Sequence, residues 1–80
     1  GRHQAEAAAE GCFLQAIEIA HSQGARALEL RAATSLARLW QRQGKLHEAH
    51  KMLSAIYSWF TEGFETAPLQ EAHALLNALA

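Results

Sequence analysis

Forty positions separate two stretches of this chain that carry the same apolar pattern. Shifted by 40, Ala9, Cys12, Phe13, Ala16, Ile17 and Ala20 fall on Ala49, Met52, Leu53, Ile56, Tyr57 and Phe60, apolar on apolar each time. Each set recurs at three- and four-residue steps, the spacing of one face of an α-helix. Between them lies a broader set, Leu28, Ala32, Ala33, Leu36, Ala37, Leu39 and Trp40, wide enough to pack on two sides. Such a pattern predicts helix–turn–helix units stacked side by side, with the broad helix in the middle. No segment shows a strand pattern, so the class is all-α, an α-solenoid of antiparallel hairpins with about four helices.

The punctuation agrees with that reading. The first helix runs over about residues 3–22, and Gly24 stands where a glycine ends it. Gly11, inside it, costs roughly 1 kcal/mol relative to alanine, which implies a packing reason. The second helix runs over about 25–42 and stops at Gln41-Arg42-Gln43-Gly44, where a basic residue favours the carbonyl end. The third starts near Leu46 and reaches Phe60. Residues 61–66, TEGFET, read as a turn around Gly63, with Phe64 tucked under the helices. Thr66 serves as an N-cap and Pro68 is tolerated in a first turn. The last helix then sets Leu69, Ala72, Leu75, Leu76 and Leu79 on one stripe and Gln70, Glu71, His73 and Asn77 away from it, as an end cap requires.

Size and charge narrow the function classes. With 80 residues the chain is a single domain, and a small one. Its net charge of −1 exerts no bulk pull on nucleic acid or anionic lipid. The single cysteine, Cys12, has no internal disulfide partner, which fits a reducing, cytoplasmic setting. No apolar run approaches the roughly 20 residues that span a bilayer, and no signal peptide is recognisable. Gly1 and Arg2 read as a cloning remnant. The helical pattern begins almost at once, which suggests a piece of something longer.

The residues Leu36, Ala37 and Trp40, then Gly44, Ala49, Leu53 and Ile56, resemble the tetratricopeptide repeat. That pattern has a large residue, a small one and an aromatic on helix A, a turn glycine, then a small residue and large ones on helix B. The family prefers alanine where Ile56 stands and an aromatic where Leu53 stands. The usual closing proline is missing, and the period is 40 here against 34 in the family. The resemblance implies that 3–22 is helix B of a truncated repeat, 25–60 a complete A–B pair, and 66–79 a capping helix. It also implies that the side of helix 1 away from the pair lacks its cover and is buried by self-association.

A narrower likeness lies in LARLWQ-x-QGK and in WFTEGF-x-T-x-x-L-x-E-A. These segments resemble the C-terminal tails of large bacterial signalling proteins, which join a class III adenylate/guanylate cyclase or transcriptional-regulator domain to an ATPase-like domain. The likeness implies a regulatory tail and no cyclase activity in this chain. Such catalysis needs paired metal-binding aspartates, and the sequence contains no aspartate.

Chemistry is sparse. His47-Glu48-Ala49-His50 puts two histidines at i, i+3, but the HExxH spacing is not met and a third ligand is lacking, so no metal is expected. His3, His21 and His73 are scattered surface residues. Cys12 reads as a small buried hydrophobe rather than a nucleophile. Of the aromatics, Phe13, Trp40, Tyr57, Phe60 and Phe64 fall on packing positions, and Trp59 alone lies off the main stripe. No nucleophile–base pair or carboxylate pair converges, so neither an enzyme nor a cofactor is expected.

The candidate site is a line of basic and polar residues on helix 2: Arg31, Thr34, Arg38, Gln41 and Arg42. Positions 31, 38 and 42 fall within about 20° of one line on a helical wheel. By the tetratricopeptide resemblance this line faces the concave groove, where guanidinium groups grip carboxylates of a protein or peptide partner. The expected function is therefore a protein–protein interaction or regulatory module. The alternative is a ligand-sensing domain that controls an attached nucleotide cyclase or ATPase.

Overall fold

A computed structural model of the protein describes residues 2–60 and 66–80, with the backbone alone for 2–4. It is all-helical, with four helices and no strand among the described residues: α1 (Arg2–Ser22), α2 (Arg26–Arg42), α3 (Leu46–Tyr57) and α4 (Ala67–Leu79). Helix α2 is the hub. It packs against α1, α3 and α4, while α3 and α4 also touch each other, so α2, α3 and α4 form a triangle and α1 lies beyond α2. The breadth of α2's apolar surface explains this, since a helix with one narrow stripe has only one side to bury.

The two hairpins reverse by the same device. Gly24 and Gly44 hold φ of 69° and 80°, the left-handed region in which a Cβ would be strained. At the first, the Gly24 N–H donates to the His21 carbonyl at 3.1 Å and the Ala25 N–H to the Ala20 carbonyl at 2.8 Å. At the second, Gly44 donates to Gln41 at 3.1 Å and Lys45 to Trp40 at 2.8 Å. This paired capping of the last carbonyls is a Schellman motif, and it turns the chain back within three residues.

Small residues let the helices close up. Ala33, Ala37, Ala49 and Ala72 are fully buried, and Leu30 and Leu53 fill the space beside them. Backbones approach nearest where side chains are smallest, so leucines can interdigitate around the alanines. Helix α4 contributes Leu69, Ala72, Leu75, Leu76 and Leu79, all buried, while Gln70, Glu71, His73 and Asn77 face out. Pro68 sits in its first turn behind Thr66, whose extended backbone occupies the N-cap position.

Several expectations need correction. Cys12 is exposed, not buried, and so is Ala16. Their counterparts Met52 and Ile56 are partly buried because α3 has α2 on one side and α4 on the other. Among the helices α1 packs only on α2, so among the described residues the outer half of its stripe has no helix beside it. Leu28, expected in the packing set, is 58% exposed at the first turn of α2. Helix α3 ends at Tyr57, and Phe60 joins the core from the turn beyond it. Gly11 has no packing reason: an added Cβ would meet nothing within 4 Å. The expected turn around Gly63 and the tucked Phe64 lie outside the described residues.

Candidate functional site

Among the described residues, helix α2 leaves one strip of its surface uncovered, between the flanks of α1 and α4. Residues 31, 35, 38 and 42 recur at steps of four, three and four, so they share a line along the helix. Arg31, Arg38 and Arg42 are exposed on it and Ser35 is half-buried. A cleft runs along each side. The one towards α1 is floored by Ala9, Phe13 and Leu39 and edged by Arg38, Gln41 and Arg42. The one towards α4 is bounded by Arg31, Thr34, Arg38, Pro68 and Glu71. Ser35 and Arg38 border both clefts.

All five expected site residues, Arg31, Thr34, Arg38, Gln41 and Arg42, therefore border one or other of the two clefts. Thr34 does not serve as a free polar group. It is 4% exposed, and its Oγ1 donates to the Leu30 carbonyl at 2.8 Å, one turn back on its own helix. Its hydroxyl is spent on local backbone, the i−4 carbonyl bond that a threonine in a helix can make from its own rotamer. Sequence reasoning missed Ser35, which lies on the arginine line and could have been found by extending the same arithmetic. It also missed Phe13, Pro68 and Glu71, which join the site only through tertiary packing.

The electrostatics are lopsided. Among the described residues, the two clefts bring together three guanidinium groups and one carboxylate, that of Glu71, which stands 3.8 Å from Arg38 Nη2. Both partners of that pair are more than half exposed, with side chains 55% and 59% accessible, so water screens it and it adds little to stability. Arg42 also edges a third cleft with Glu6, Glu10 and Lys45, where Lys45 Nζ lies 3.9 Å from Glu10 Oε1. The same Glu10 carboxylate accepts the indole N–H of Trp40. Glu10 is thereby committed to tying α1 to the α2–α3 hairpin.

Trp59, singled out as lying off the main stripe, is 52% exposed. It is nonetheless engaged on two sides. The Arg26 guanidinium carbon lies 4.4 Å from the ring centroid, a cation–π distance, and His21 meets the ring edge-on at 5.4 Å. His21 Nδ1 in turn lies 3.3 Å from the largely buried Glu29 carboxylate. The cluster fastens the turn after α3 to the α1–α2 hairpin, and the tryptophan face is occupied by arginine. His47 and Glu48 are exposed and His50 is half-buried. No group of three or more His, Cys, Asp or Glu side chains is gathered as a metal site would require among the described residues. No helix of the described residues is long and apolar enough to cross a membrane.

Comparison with family models, curated proteins and solved structures returns no match.

Proposed function

We propose that this chain is a non-catalytic helical-repeat module, of the tetratricopeptide-like kind, that docks a protein or peptide partner on the exposed strip of α2. The observation that carries this reading is the line Arg31, Arg38 and Arg42, set between an apolar-floored cleft and a polar one. Guanidinium groups recognise carboxylates through paired, planar hydrogen bonds, and an adjacent apolar floor adds contact area that charge alone lacks. The paired Schellman reversals at Gly24 and Gly44 support the helical-repeat reading, since equal turns stack equal hairpins. The WFTEGF ending and the LARLWQ segment support a place as the regulatory tail of a larger bacterial signalling protein, cyclase-like or transcriptional. The open outer face of α1 supports contact with a second copy of the chain.

Arg38→Glu tests the docking surface directly. The reversed charge sits where both clefts meet, and it repels Glu71 as well as an incoming carboxylate. Both side chains are exposed, so folding is expected to change by less than about 0.5 kcal/mol. Quantitative capture from native cell extract is expected to lose the main co-purifying protein by about tenfold or more, a change of roughly 1.4 kcal/mol in binding. An unaltered set of captured proteins would reduce the arginine line to an ordinary solvated surface.

A further inference from the structure

The contact between Arg38 and Glu71 bears on what the groove accepts and when. The geometry points to Glu71 as a built-in stand-in for an acidic partner: its carboxylate occupies the central arginine of the groove until the partner's carboxylate displaces it. This rests on the docking reading of α2 and adds to it both the chemistry of the partner and a restraint on binding.

Charge complementarity identifies the occupant as an acidic segment. Among the described residues, three arginines and one carboxylate border the two clefts, in a chain whose net charge is −1. Local surplus of one sign against the molecule's overall balance calls for the opposite sign in the ligand. Spacing refines the match. Arg31 and Arg38 are separated by about 10 Å along the helix axis, and Arg38 and Arg42 by about 6 Å, at roughly 1.5 Å per residue. An extended peptide rises about 3.3 Å per residue, so acids placed two or three residues apart meet successive arginines. Phe13, Ala9 and Leu39 floor the cleft towards α1, which suits an apolar side chain between those acids.

Glu71 has the position of a competitor rather than a structural lock. Its Oε2 lies 3.8 Å from Arg38 Nη2, a loose distance, and both side chains are more than half exposed. Nothing buried is lost when that pair opens. Yet the carboxylate reaches from α4 to the arginine shared by both clefts, the site an incoming acid would need. The Glu71 side chain of α4 thereby sets how much of the arginine line is free.

The experiment measures the affinity of the intact chain for a fluorescein-labelled octapeptide, six glutamates with two interspersed leucines, by anisotropy at low salt. Wild type, Glu71→Gln and Arg38→Glu are compared, each checked for unchanged helicity. Glu71→Gln is expected to tighten binding about two- to five-fold, the range set by an exposed ion pair. Arg38→Glu is expected to weaken it more than tenfold. Loss of binding in Arg38→Glu with no gain in Glu71→Gln would overturn the stand-in while leaving the docking groove intact. Absence of binding by wild type and Glu71→Gln alike would overturn both.

Discussion

Leu53→Ala is expected to remove a large share of the stability of this protein. Leu53 is fully buried on α3, in the cluster where Leu30, Ala33 and Ala37 of α2 meet the apolar stripe of α4. Truncating such a leucine removes its transfer free energy and leaves a cavity that rigid helices only partly close, at a cost of about 3–4 kcal/mol. A domain of this size has on the order of 4–12 kcal/mol in total. Because each kcal/mol shifts Tm by roughly 4–8 °C in a small domain, the melting temperature should fall by about 15–30 °C. Leu28→Ala is the control. Leu28 is a leucine of the neighbouring helix that is 58% exposed, and its truncation should stay within about 0.5 kcal/mol. Thermal and urea unfolding of the pair check this, and a Leu53→Ala loss below about 1 kcal/mol would contradict the packing described.

Self-association through α1 is the second large effect. Ala5, Ala8, Cys12 and Ala16 are exposed along one side of α1, continued by Ile19 at 48% exposure and, across a shallow apolar cleft, by Leu28. These α1 positions stand symmetrically about residue 12, which is also the midpoint of Arg2–Ser22. A two-fold antiparallel pair would set Ala5 opposite Ile19 and Ala8 opposite Ala16 of a second copy, as an isologous interface requires. Glu6, Glu10 and Glu18 point more than about 100° away on the helical wheel and do not oppose it. The seam is short, however. A helix of 21 residues is about 31 Å long, and one such contact buries less than the roughly 1,200 Å² typical of stable complexes. Sedimentation is therefore expected to show monomer at micromolar and dimer at near-millimolar concentration, with Ile19→Glu monomeric throughout. A wild type that stays monomeric at the highest concentration, with no binding of a dye specific for exposed apolar surface, would refute this.

What could be read from the residues was whatever depends on local rules. The all-α class follows from spacing, and the reversals at Gly24 and Gly44 follow from the need for a left-handed residue after each helix. The arginine line on α2 is wheel arithmetic, and Ser35 belongs to it by the same arithmetic. Other features depend on which helix lies beside which. Cys12 and Met52 hold equivalent places in the 40-residue shift, yet one is exposed and the other partly buried, because only α3 has a second neighbour. Thr34 borders the cleft towards α4, where its polar type suggests a hydroxyl available to a partner. Its hydroxyl instead bonds the Leu30 carbonyl, the local bond open to a threonine within a helix. Glu71 sits on the polar side of α4, and nothing local foretells that this side meets Arg38.

The claim on which the functional account stands is that the uncovered strip of α2 is where a partner lies. Backbone amide shifts recorded by NMR while the acidic octapeptide is titrated into the labelled chain test it most directly. The account predicts movements concentrated at Arg31, Ser35, Arg38, Gln41 and Arg42, with Phe13 and Glu71 following from the flanking helices. Shifts confined to the outer side of α1 or to α3, or none at near-millimolar peptide, would contradict it.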